Sequence, residues 1–145
     1  MGIGSTLKSD DGIGTLVARA FKKTASEEWL CLECETMPES YLGVVEREKP
    51  CLVLLVDAAE MGLEPGETRV LSKEQLSSTV IGTHGLPLKQ LYDLLEKNAK
   101  KIVFIAVQPE RMNLGEKLSS KLSRAKRELV ETLKRKGWDK IPSLD

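Results

Sequence analysis

The apolar positions change period several times along this chain, and each change marks an element. From Ile13 they fall at Ile13, Leu16, Val17, Ala20 and Phe21, the spacing that turns one face of a helix toward a core. Residues 29–32 (WLCL) are a short continuous apolar run, which reads as a buried strand. Pro38 opens a helical segment to about residue 46, with Tyr41, Leu42 and Val45 on one side. Residues 51–56 (CLVLLV) are almost wholly apolar and end in Asp57, as expected of a central parallel strand covered on both faces. Pro65, between Gly62 and Gly66, predicts a turn, and residues 68–71 a short edge strand. The small, polar residues 77–82 read as a surface loop. Thr83 suits the cap of a helix over about 86–98, with Leu88, Leu91, Tyr92 and Leu95 inward. Residues 102–107 (IVFIAV) are a second buried strand, stopped by Pro109. A last helix over about 114–136 buries Leu118, Leu122, Ala125, Leu129, Val130 and Leu133, with Gly137 as its C-cap.

This alternation predicts an α/β fold: a three-layer sandwich with a mostly parallel, twisted sheet and helices on both faces, in one domain over residues 1–145. One strand is missing from the pattern. A glycine turn that feeds a helix normally follows a strand, yet only Met1 precedes Gly2.

Composition narrows the class. Hydrophobic residues make up 41% and charged residues 30%, which excludes disorder. The formal net charge is zero, so bulk electrostatics points to neither nucleic acid nor an anionic membrane surface. With no apolar run near the roughly 20 residues of a membrane span and no signal peptide at the start, the chain reads as cytoplasmic. Three cysteines, Cys31, Cys34 and Cys51, are an odd count, unlike a disulfide framework. Cys31 and Cys34 form a C-x-x-C pair with no second pair to complete a zinc ribbon. Burial is expected for Cys31 and Cys51, and exposure for Cys34.

The candidate chemistry lies where strands end, because ligands of parallel sheets bind beyond the carboxyl ends of the strands. Asp10 and Asp11 stand at the start of the first helix, Glu33 after the second strand position, Asp57 at the end of the third, and His84, the chain's one histidine, before a later helix. An aspartate is a favoured N-cap and suits the helix dipole, but only one of the pair can cap. One imidazole with two carboxylates is a donor set for zinc, nickel or a similar ion with open positions. The Gly2-x-Gly4 pair is not a dinucleotide fingerprint, since Leu7 stands where its third glycine is needed.

Three ordered blocks carry a resemblance: GIGSTLKSDDGIG at 2–14, VDAAEMGLEPGETRV at 56–70 and THGLPL at 83–88. Together they resemble the nickel–iron hydrogenase maturation endopeptidases, most of all the branch acting on formate-hydrogenlyase-type and related membrane-bound hydrogenases. The resemblance runs from Gly2 to about Pro109. It implies an endopeptidase that removes the C-terminal extension of the hydrogenase large-subunit precursor after nickel insertion. Nickel, supplied with the substrate, would meet Asp11, Asp57 and His84, which are also the implied catalytic residues. Glu33 matches an acidic position implicated in substrate recognition that is usually Asp in relatives, and Ser5 stands where relatives usually carry Asn. The absent first strand would be the central one of this topology, so its loss should leave both neighbours exposed.

Two mechanisms fit that resemblance. The metal acts as a Lewis acid on the scissile carbonyl or on a water, or the carboxylates act as general bases while the metal serves recognition. With the sole histidine assigned to the metal, no Ser/His/Asp set is left. The non-enzymatic alternative is a metal-binding chaperone or interaction module for the large subunit.

Overall fold

The structure is a computed structural model that describes residues 1–77, 80–81, 86–115 and 117–145. Five strands lie in the order β2 (Glu33–Glu35), β1 (Gly2–Ile3), β3 (Leu52–Glu60), β6 (Lys101–Val107), β4 (Thr68–Leu71), and β5 (Val80–Ile81) pairs with the far end of β3 off that path. β2, β1, β3 and β6 run parallel, whereas β4 is an antiparallel edge strand on β6. The expected mostly parallel sheet is present, with the two long apolar runs side by side at its centre.

Both faces of β3 and β6 are covered, which is why those runs do not alternate. Leu54, Val56, Ala58, Val103, Ile105 and Val107 pack with α1 (Ile13–Lys22) and α4 (Ser120–Lys134). Val53, Leu55, Ala59, Phe104 and Ala106 face the other way, toward α2 (Leu42–Glu48) and α3 (Leu88–Glu96). No helix among the described residues is long and apolar enough to cross a membrane.

Several boundaries differ from the sequence expectation. The second strand lies at Glu33–Glu35, not at 29–32, and its alternation turns Cys34 into the core while Glu33 and Glu35 face the other side. Cysteine burial is therefore inverted: Cys34 is buried, Cys31 half-buried and Cys51, on the bend before β3, exposed. Strand β3 continues through Asp57 to Glu60. Val80–Ile81 is a strand within the segment read as a loop. Helix α3 begins at Leu88 after Pro87 as N-cap, and Thr83 lies outside the described residues. Helix α4 begins only after Ser119, leaving Leu114 exposed. Its far end turns at Lys136 (φ 56°), with Gly137 N–H bonded to Thr132 O and Lys136 N–H to Leu133 O. That pattern is a Schellman motif in which Gly137 follows the left-handed residue and does not adopt that conformation itself.

The strand that the sequence pattern lacked is present as β1, between β2 and β3. Gly2 sits between Glu33 and Val56 in the ladder, and the Met1 ammonium donates to Leu54 O at 2.8 Å, as the amide of a continuing strand would. A cavity of about 420 Å³ lies beside Met1, lined by Phe21, Trp29, Leu32, Leu52 and Leu54 among others. Burial desolvates the Met1 ammonium and lowers its pKa from the ordinary 8.0. The unfolded chain therefore binds this proton more tightly. The penalty is full below the folded pKa and vanishes as pH rises through the unfolded value, so this group makes stability increase with pH.

We predict that fusing a short apolar, β-branched segment ahead of Met1 raises Tm by about 4–10 °C, from on the order of 2 kcal/mol of added burial. It also removes the contribution of the amine to the pH dependence of stability. Thermal melts at several pH values check this, and an unmoved Tm would mean that the cavity does not accept a strand.

Candidate active site

The first helix is set on the sheet by close backbone approach. A side chain at Gly14 would overlap Val56 O and Ile3 O, so the amino end of α1 rests directly on β1 and β3. Gly4, at φ 126°, lets the chain leave β1 while the 3₁₀ turn Ser9–Gly12 passes over it, with Asp11 O where a β-carbon would stand. This packing puts Asp10 and Asp11 at the carboxyl ends of β1 and β3.

The two aspartates have different surroundings. Asp10 is fully buried and accepts from Ser119 N–H at 2.7 Å, Ser119 Oγ–H at 2.8 Å, Glu110 N–H at 2.9 Å and Arg111 N–H at 3.1 Å. It secures the loop after β6 and the N-cap residue of α4, whose Oγ in turn accepts from Leu122 N–H. Neither aspartate caps α1, because Gly12 holds that position without a side-chain bond. Asp11 is 4% exposed, and its Oδ2 accepts from Ser5 N–H at 2.9 Å. Its Oδ1 is buried without a hydrogen-bond partner. A buried carboxylate oxygen with no donor is unfavourable.

Asp57 lies in β3, fully buried, with Oδ1 accepting from Ala58 N–H at 2.8 Å. By strand alternation it shares the face of Leu55 and Ala59, toward α3, whereas Asp11 reaches the same end of the sheet on the turn before α1. The structure thus brings Asp11 and Asp57 to one end of adjacent strands. His84 lies outside the described residues. Glu33 stands apart on edge strand β2, half-buried and ion-paired with Arg19 at 2.7 Å. Among the described residues no group of three or more His, Cys, Asp or Glu could hold a metal ion, so Asp11 and Asp57 by themselves do not complete a cage.

Sequence reasoning missed Glu35. At the carboxyl end of β2 its Oε1 accepts from Thr6 Oγ1–H at 2.9 Å and Thr6 N–H at 3.3 Å. The signal was the E-C-E alternation, hidden while the strand was placed at 29–32. The C-x-x-C pair is away from this chemistry. Both thiols are free, and burial raises the pKa of Cys31 and pushes that of Cys34 up to about 11, so both remain protonated at neutral pH.

Comparison with known proteins gives a consistent picture. The family model described as HycI, hydrogenase maturation protease, matches residues 15–136. The hydrogenase 3 maturation protease of Escherichia coli K12 is 26% identical over 138 residues, covering 94% of this chain and 87% of that protein. A [NiFe] hydrogenase maturation protease HycI from Thermococcus kodakarensis has a crystal structure that superposes with a TM-score of 0.84 at 33% identity, covering 94% of this chain and 88% of that one. A crystal structure of a hydrogenase 3 maturation protease superposes with a TM-score of 0.88 at 25% identity, over 99% of this chain and 94% of that one.

Two predictions follow from the geometry. Asp10→Asn, which turns an NH₂ group on buried donors, should cost about 2–4 kcal/mol in urea unfolding. Asp11→Asn should leave stability unchanged or raise it, since it removes a buried charge that only Ser5 N–H binds. Equal losses in the two variants would refute this division. The Cys31→Ala, Cys34→Ala double variant should keep full peptide-bond cleavage, and loss of activity in a folded double variant would show that the pair takes part.

Proposed function

The chain belongs to the hydrogenase maturation protease family and is an endopeptidase; on that premise we propose that it removes the C-terminal extension of a nickel–iron hydrogenase large-subunit precursor once nickel is inserted. The observation that carries this reading is the buried, unpartnered Oδ1 of Asp11 at the carboxyl end of the sheet. A carboxylate in that condition is suited to a cation brought by the substrate, with Asp57 on the adjacent strand and His84 as the further proposed contacts. Oxygen and imidazole donors suit nickel, and the small number of protein donors leaves positions for groups of the precursor. Nickel, as part of the substrate, would supply Lewis-acid polarisation of a carbonyl or water.

The residues of the chain do the positioning. Asp11 is oriented by Ser5 N–H so that Oδ2 is occupied and Oδ1 is kept for the incoming cation. Asp57 is steadied by the adjacent Ala58 N–H. Asp10 holds the turn that carries Asp11, so its contribution is to placement. Glu33, on the edge strand, is proposed to meet the precursor after exchanging its surface partner Arg19, a pairing that is weak enough to give up. A readiness to bind only when the cation is present makes cleavage wait for nickel.

We predict that Asp11→Asn lowers cleavage of nickel-loaded precursor by at least ~100-fold, comparable to the loss of a positioned catalytic group, while the fold is retained. The parent enzyme should cut loaded precursor and leave nickel-free precursor intact in a gel-shift assay. Equal cutting of both forms by the parent, or full activity in Asp11→Asn, would sink the proposal. A chain that binds the precursor without ever cutting it would favour the chaperone alternative.

A further inference from the structure

We propose that the exposed leucines Leu7 and Leu114, bordered by Lys8, Lys117 and Lys121, are the docking surface for a segment of the precursor that carries apolar and acidic side chains; this rests on the function proposed above. The surface forms where two loops at the carboxyl end of the sheet meet. Gly115 N–H donates to Leu7 O at 2.9 Å, Ser9 N–H to Gly115 O, and Ser9 Oγ–H to Lys117 O at 2.7 Å. These bonds, with the bridge between Lys8 and Gly115, bring Leu7 and Leu114 to one place on the surface. There they remain 59% and 82% exposed. An exposed leucine standing alone is ordinary, whereas apolar residues gathered together and rimmed by polar ones mark an interaction surface.

The neighbouring charges do not serve the stability of the chain. Lys117, Lys121, Arg124, Lys126 and Arg127 follow one another with no acidic residue among them, in a chain of zero net charge. Lys121 stands in the first turn of α4, which holds no acidic residue, so it lies at the positive end of the helix dipole. Lys121 with Arg124, and Arg124 with Arg127, are like charges three positions apart, a spacing that also costs stability. Arg124 is answered by Glu128 at 3.0 Å, but among the described residues Lys8, Lys117, Lys121 and Arg127 make no ion pair. A partner that brings carboxylates relieves this repulsion, and its apolar side chains cover the leucines. The surface is also continuous with the candidate site. Lys8 O accepts from Asp11 N–H at 3.1 Å, and Ser5 N–H, two residues before Leu7, binds the Asp11 carboxylate. A segment seated here adjoins Asp11, and the precursor is the partner whose chain has to reach that point.

Steady-state cleavage of nickel-loaded precursor tests this, with KM and kcat separated. Leu114→Asp and the Lys117→Glu, Lys121→Glu double variant should each raise KM by ~10-fold and leave kcat within about two-fold, since these side chains do not touch the reacting atoms. The parental KM should rise with salt, and rise less in the double variant. Lys134→Glu makes the same kind of substitution about 20 Å further along α4 and should keep the parental KM. Parental KM in folded Leu114→Asp and in the folded double variant would overturn the docking surface and leave the proposed function standing. A parent that cuts no precursor would overturn both. An equal rise in Lys134→Glu would reduce the effect to overall charge and count against the surface. Loss of self-association, or of binding to anionic vesicles, in variants with parental KM would give this face to a second copy or to a lipid surface instead. Should Leu114→Asp not fold, the double variant decides, with an unchanged KM overturning the proposal.

Discussion

The buried carboxylate of Asp10 is the interaction on which the carboxyl end of this fold depends. It accepts four hydrogen bonds, from residues about a hundred positions away in the chain. In doing so it ties down the loop after β6 through the Glu110 and Arg111 amides and, through Ser119, the residue from which α4 starts. Ser119, with its backbone N–H and hydroxyl both committed to Asp10, is the N-cap, and Leu114 and Leu118 lie outside the helix despite being apolar. The turn that carries Asp11 is thereby locked from below by Asp10 and from the side by its close contact with Gly4.

This arrangement explains how two adjacent residues of identical chemistry come to play opposite parts. Asp10 has both oxygens engaged by four donors, and removing its charge leaves donors orphaned. Asp11 has one oxygen answered, by Ser5, and one not. The protein bears a desolvation cost at Asp11 that its packing does not offset, and stability drawn from elsewhere, including Asp10, makes that cost tolerable.

The apolar centre of the sheet serves the same end. Strands β3 and β6 are in register over seven residue pairs, from Leu52 with Lys101 to Ala58 with Val107. They are buried on both faces, so the carboxyl end of β3 is a rigid support for Asp57. β1 pairs with β3 through Gly2 and Val56, and toward the opposite end of the sheet the cavity lies beside Met1.

What the sequence determined by itself was everything that repeats: the helical face beginning at Ile13, the continuous apolar runs of β3 and β6, the edge position of Thr68–Leu71, and hence the layered α/β class. Periodicity encodes burial, and burial on two faces or one distinguishes central strands from edges. The aspartate pair was also legible as a pair. Which member is structural was not, because the partners of Asp10 lie a hundred residues on, where only the folded chain brings an amide and a hydroxyl to it. Tertiary structure likewise decided the register of β2, since a run of three residues is placed by the backbone of β1, through Gly2 and Gly4, and not by its own side chains. That register turned Cys34 inward and carried Glu35 to Thr6. A one-residue shift moves every side chain of a strand to the other face, so the contact of Glu35 with Thr6 became visible only when the neighbouring strand was in position.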